Sequence, residues 1–160
     1  MEIRQIEKAD ATPLMQFYNG LSQASKRTFR PLGEQTTPVV CEKIIAENNA
    51  PGNKKFDLVA SENGQIIGWS FLWGLNEPAP TFGIGIADAF QCQGLGKQLM
   101  DAILEYARNS NIPRIILTVV QENQIAWRMY QRRGFQITGE FLDTDGLMYF
   151  RMTAELKKEA

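Results

Sequence analysis

The chain has 160 residues, with 17 Lys and Arg against 18 Asp and Glu, a formal charge of −1 and 44% hydrophobic content. That balance excludes a disordered or fibrous chain and argues against broad binding to a nucleic-acid backbone, which favours a clear basic excess. Histidine is absent, which excludes Ser-His-Asp and Cys-His catalysis and any His-containing metal site.

No repeat, charge block or low-complexity linker divides the sequence, so one domain over residues 1–160 is expected. The longest apolar stretch, 66–75, contains Gly68, Ser70 and Gly74 and is far too short for a bilayer. With no secretory leader pattern, the chain reads as cytoplasmic, with no membrane partner. Cys41 and Cys92 provide neither a disulfide framework nor metal-ligand spacing, so no metal is expected.

Residues 2–6 suit a short strand. Asp10 is placed to cap a helix carrying Leu14, Phe17, Tyr18 and Leu21 at helical spacing. Residues 28–33 read as a loop, and Pro38 opens a second helix that ends before the turn at 49–52. A hairpin follows, 56–61 and 65–75 around Asn63-Gly64, then a strand over 81–88. The strongest helical pattern spans 94–109, with Leu95, Leu99, Ile103, Leu104 and Ala107 on one face. Pro113 precedes an apolar strand at 115–120, residues 123–133 form another helix, and 135–142 with 147–156 make a last hairpin. The order predicts an α/β (α+β) fold, a mixed sheet with helices on both faces.

Three segments carry chemistry. Two glycines, Gly83 and Gly85, interrupt the strand at 81–88, which suggests a bulge, a close approach by another backbone, or helix packing over the sheet. Next, Gln91-Cys-Gln-Gly-Leu-Gly-Lys97 runs into the long helix, where free N–H groups and the helix dipole suit a pyrophosphate. Gln91 and Gln98 rule out a P-loop, and Leu99 rules out a dinucleotide fingerprint. Third, Asn123, Ala126 and Tyr130 form one stripe on a helix that ends at Gly134-Phe135. Individually, Asn123 could be only a cap and Tyr130 only core.

Together these segments resemble the GNAT superfamily of acyl-CoA N-acyltransferases. Gln91, Gly94 and Gly96 match its Gln/Arg-x-x-Gly-x-Gly/Ala motif. Asn123, Ala126, Tyr130, Gly134 and Phe135 match its Asn-x-x-Ala-x-x-x-Tyr-x-x-x-Gly-Phe motif. The resemblance implies a mostly antiparallel sheet of about seven strands, splayed between 81–88 and 115–120. It implies that the bulged strand at Ile84, Gly85 and Ile86 pairs with the pantetheine arm of acetyl-CoA. The turn of Gln91, Cys92, Gln93, Gly94, Leu95, Gly96 and Lys97 would hold the pyrophosphate, and Asn123 the arm. Tyr130 would act catalytically at the thioester sulfur, in direct transfer to a small-molecule or peptide amine, and a homodimer is compatible with the architecture.

The base does not carry over. Several N-terminal acetyltransferases of the family place a glutamate five residues before the motif asparagine, where this chain has Thr118. Glu77, Asp88, Glu122 or water remain as proton acceptors. The alternative is a non-catalytic CoA-binding sensor, and nucleic acid is not expected as a partner. Acceptor choice is expected to come from residues 20–35, the 74–80 loop and the last hairpin. Trp69, Phe71 and Trp73 alternate on one strand and either line the acceptor slot or pack the sheet.

Overall fold

A computed structural model describes residues 1–156. It contains β1 (Glu2–Gln5), α1 (Ala11–Asn19), α2 (Gln23–Thr28), α3 (Pro38–Asn49), β2 (Lys55–Glu62), β3 (Gln65–Trp73) and β4 (Thr81–Ile86). After these come α4 (Leu95–Asn109), β5 (Arg114–Val120), α5 (Gln124–Arg132), β6 (Phe135–Leu142) and β7 (Met148–Glu155). One sheet of seven strands runs in the order β1-β2-β3-β4-β5-β7-β6. Every neighbouring pair is antiparallel except β4 and β5.

Local chemistry explains most boundaries. Asn63 and Gly64 take φ of 52° and 77°, the double positive φ that lets a two-residue turn follow strand twist. Thr37 caps α3 through its hydroxyl, which accepts the Val40 N–H at 3.4 Å, and Pro38 occupies the first turn, where its missing donor costs nothing. In α4, Leu95, Leu99 and Ile103, with Met100, Leu104 and Ala107, are buried against one face of the sheet. The opposite face packs on α1 and α3 through Leu14, Phe17, Tyr18, Cys41, Ile44 and Ile45. Cys41 thus serves as a small buried hydrophobe.

Three points depart from expectation. Residues 23–27, to which the sequence assigned no element, and Thr28, read as loop, form the short helix α2, capped by Ser22, whose hydroxyl accepts the Ser25 N–H at 3.1 Å. None of its six residues is buried, so no apolar stripe announces it. Asp10 precedes α1 but makes no side-chain cap to it. Its carboxylate instead takes a bidentate pair from Arg4, at 2.7 and 2.9 Å, and the Glu7 N–H at 2.7 Å, tying β1 to the chain before α1. Finally, β4 pairs with β3 in unbroken register from Trp73↔Thr81 to Gly68↔Ile86, without a bulge.

Trp69, Phe71 and Trp73 resolve toward sheet packing. Trp69 and Phe71 are buried on the α1/α3 face, with Trp73 packed against them. Buried Asp57 accepts the Trp69 indole N–H at 2.7 Å, the Trp73 indole N–H at 3.2 Å and the Asn48 amide at 2.8 Å. Desolvation raises the Asp57 carboxyl to about 6, against the opposing pull of those donors.

Candidate active site

β4 and β5 separate almost where they meet. Their register contains a single pair, Thr81↔Ile116, while β5 pairs with β7 along its length. The Pro80 carbonyl accepts the Ile116 N–H at 3.0 Å on one side of β4, and Ala87 donates to the Ile67 carbonyl at 2.8 Å on the other. Backbone groups alternate along a strand, so the N–H and C=O groups of Ile84 and Ile86 face the widening gap. A cavity of about 340 Å³ fills that gap.

Its lining joins segments that are distant in sequence. Ile84 and Ile86 come from β4, and Gln91, Cys92, Gly94, Gly96 and Lys97 from the turn into α4. Asn123 and Tyr130 come from α5. Gly94 adopts φ +85° and Cys92 φ +62°, turning the chain sharply into the helix. The first intrahelical bond there is Gln98 N–H to the Gly94 carbonyl, at 3.2 Å, so the N–H groups of Leu95, Gly96 and Lys97 lack helical acceptors. A Cβ on Gly96 would meet nothing nearer than Ile84 Cδ1 at 3.9 Å. The protein's own packing therefore does not require glycine at 96, and its absent side chain leaves room beside three outward N–H groups. Those features fit a pyrophosphate.

Three of the residues proposed from sequence do not line this cavity through their side chains. Leu95 is buried in the core, and Gln93 turns back to donate to the Ala89 carbonyl at 3.2 Å. Gly85 faces the other side of the sheet, where a Cβ would come within 2.4 Å of the Phe29 ring. At Gly83 a Cβ would lie 2.2 Å from the Phe71 ring. Both glycines therefore answer to aromatic packing on the α1/α3 face, not to a bulge.

Tyr130 reaches the cavity because α5 is pinned. The Asn123 side chain accepts the Ala126 N–H at 3.3 Å, and the Trp127 indole donates to the Gln121 carbonyl at 3.0 Å. The Tyr130 ring packs edge-on to Phe82, 6.0 Å between centroids, and against Phe135, also 6.0 Å. Only 7% of the residue is exposed, and among the described residues nothing accepts its hydroxyl proton. Burial pushes the phenol well above its ordinary value. One turn earlier, Ile125 lies on the cavity rim with 84% of its surface exposed, an apolar group positioned to be covered by a bound molecule.

Among the described residues, no Asp or Glu lines the cavity. Glu77 is exposed and lies against Gly74 in the turn between β3 and β4. Glu122 is exposed and pairs with Arg27 at 3.8 Å. Asp88 is engaged by α2 at the end of β4, and hydrogen bonding from Ser22 first, then Ser25, holds its carboxyl below the usual carboxylate range. Thr118 does line the cavity, as do Thr28 and Phe29 from α2 and its C-cap. Thr28 and Phe29 fall within the stretch expected to select the acceptor, but nothing in their local pattern marks them.

A mixed sheet splayed at a parallel pair, with a turn of free N–H groups on one side and a buried phenol on the other, is an architecture suited to an acyl-CoA. The family model described as acetyltransferase (GNAT) family matches residues 19–135, and the chain belongs to that family, whose members use acetyl-CoA. Over 111 residues it is 31% identical to a 5-NmdU N-acetyltransferase of Pseudomonas phage PaMx11, covering 68% of this chain and 77% of the relative. Over 91 residues it is 34% identical to the ribosomal protein bS18-alanine N-acetyltransferase of Haemophilus ducreyi. That match covers 56% of this chain and 63% of the relative, so the chain spans just under two thirds of that protein's length. A GNAT acetyltransferase structure from Streptococcus pneumoniae superposes with a TM-score of 0.84 at 26% identity, covering 98% of this chain and 99% of the other. The fold is also that of yncA from Salmonella typhimurium, solved with its cofactor acetyl-CoA (TM-score 0.77, 20% identity, 100% and 96% covered).

Proposed function

We propose that the protein transfers an acetyl group from acetyl-CoA to a primary amine by direct attack. The observation that carries this reading is the backbone edge of β4 that β5 leaves unpaired beyond Thr81, which opens on the same cavity as the Gly94–Lys97 turn and the Tyr130 side chain. Ile84 and Ile86 would pair with the pantetheine arm, and the N–H groups of Leu95, Gly96 and Lys97 would seat the pyrophosphate beside the Lys97 side chain. Acetyl-CoA supplies a thioester whose acyl carbon takes the amine nitrogen and releases the CoA thiolate.

The chain's own part is positioning and charge stabilisation. A gap-facing N–H of β4 supports the developing oxyanion, which a fixed dipole does without reorganisation. Tyr130 donates a hydrogen bond to sulfur. Its elevated phenol lies even further above a thiol's ordinary 8.5 than the reference 10 does, so it shares its proton without giving it up. The amine's proton leaves to water at the mouth, where no carboxylate among the described residues lines the wall. Relatives are named for acetylating the alanine of ribosomal protein bS18, 5-NmdU and spermine or spermidine, and a peptide or small-molecule amine is the acceptor class for this chain.

The test is purified protein with acetyl-CoA and a pooled set of primary amines, reading CoA release and product mass. Turnover with a product heavier by one acetyl group supports the enzyme. Tight CoA binding with no turnover on any amine would favour the non-catalytic sensor.

A further inference from the structure

α2 and its C-cap give Thr28 and Phe29 to the cavity wall, yet the helix buries none of its own residues. Hydrophobic burial therefore does not hold its six side chains in place. Between the buried Leu21 and Phe29 that flank it, the helix itself is reached by a polar tether to the end of β4. Asp88 Oδ1 accepts the Ser22 N–H at 3.2 Å and the Ser25 hydroxyl at 3.1 Å. Gln91 Nε2 donates to the same Ser25 hydroxyl at 3.0 Å and to the Ile86 carbonyl at 3.0 Å. Donors and acceptors match throughout: Ser25 gives its proton to Asp88 and receives one from Gln91. At the far end of α2, the Phe29 ring occupies the space left by the missing side chain of Gly85.

We propose that Asp88, Ser25 and Gln91 are positioning residues that fasten α2 to β4, so that the wall made by Thr28 and Phe29 is set by the segment leading into the pyrophosphate turn. Asp88 then acts on the acceptor through α2 and takes no proton from it. Gln91 shares one amide between α2 and the Ile86 carbonyl, on the edge that faces the cofactor. The Gln91 amide thus touches both α2 and the cofactor-facing edge of β4. This assignment rests on the acetyltransferase reading of the cavity.

Asp88→Asn and Asp88→Ala separate the roles. Asparagine keeps an oxygen that can accept from Ser22 and Ser25 but cannot serve as a base. The assay uses whichever of spermidine, lysine or a peptide with a free N-terminus the wild type turns over fastest. Asp88→Ala and Ser25→Ala are each expected to raise the acceptor KM roughly tenfold, while Asp88→Asn stays within about threefold of wild type. Acetyl-CoA affinity should remain within about twofold in all three, and amide hydrogen exchange over residues 22–29 should accelerate in Asp88→Ala alone of the two Asp88 variants. An Asp88→Asn variant as inactive as Asp88→Ala would make Asp88 the proton acceptor and overturn the proposal. Unchanged exchange in Asp88→Ala would also overturn it, because α2 would then be held otherwise. Absence of turnover by the wild type would sink the enzymatic reading, while the exchange measurement would still decide the tether.

Discussion

The ring of Phe29 lies where a side chain on Gly85 would have to be: a Cβ there would come within 2.4 Å of two ring carbons. The ring also packs edge-on to Trp69, 5.6 Å between centroids. It is therefore backed by the core and cannot simply swing away. Gly85→Ala is expected to destabilise the protein by about 1–3 kcal/mol, the range for overpacking. Adding Phe29→Ala should remove most of that penalty. The check is a double-mutant cycle by denaturant unfolding, and additive effects would mean that the two residues do not share this space.

Gly96 should behave in the opposite way. With no protein atom within 3.9 Å of its Cβ position, Gly96→Ala should be neutral to stabilising, by up to about 1 kcal/mol from helix propensity. Acetyl-CoA affinity should fall at least tenfold, roughly the 1.4 kcal/mol of one displaced contact. Calorimetric titration with CoA, beside thermal unfolding of the free protein, reads both. Unchanged CoA affinity would place the pyrophosphate elsewhere.

Tyr130→Phe removes a hydroxyl that makes no hydrogen bond within the described residues, so stability should change by less than about 0.5 kcal/mol. The kcat should fall roughly 10–100-fold with little change in acetyl-CoA KM, as for a group acting mainly in the transition state. Because burial raises the phenol, the wild-type kcat–pH profile should show no alkaline fall from Tyr130 ionisation. An unchanged kcat in the variant removes Tyr130 from the chemistry.

Asp57 predicts a pH dependence of stability. Its carboxyl is raised from an ordinary 3.8 to about 6 by burial. Between those values the folded protein binds more protons than the unfolded one, so stability falls as pH rises through the window and levels off above it. The drop is on the order of 2–3 kcal/mol. Asp57→Asn should abolish that slope and cost about 1–3 kcal/mol at low pH, because the amide sets two donors among those of Asn48, Trp69 and Trp73 where the protonated carboxyl sets one. Urea titrations across pH 4 to 7 would show it.

The sequence by itself determined most features whose cause lies within about a dozen residues, the Asp10 pair with Arg4 and the Ser22 cap of α2 being local exceptions. The 91–97 turn, the Asn123–Tyr130 stripe and the amphipathic face of α4 all announce themselves, because capping, turn dihedrals and helical spacing are local. The pairing of segments into a splayed sheet was legible only through the family resemblance. What the tertiary structure alone decided involves partners far apart in the chain. Gly83 and Gly85 leave a bulge, a close backbone approach and packing over the sheet open; they accommodate Phe71 and Phe29, and a glycine does not reveal what stands above it. α2 escaped notice because it buries no apolar face, being held instead by Asp88 and Gln91, more than sixty residues away. Glu77, Asp88 and Glu122 could be weighed as bases only once the cavity wall existed. None of them lines it, because Asp88 and Glu122 are turned to Ser22, Ser25 and Arg27 of the α2 segment, and Glu77 lies on the far turn.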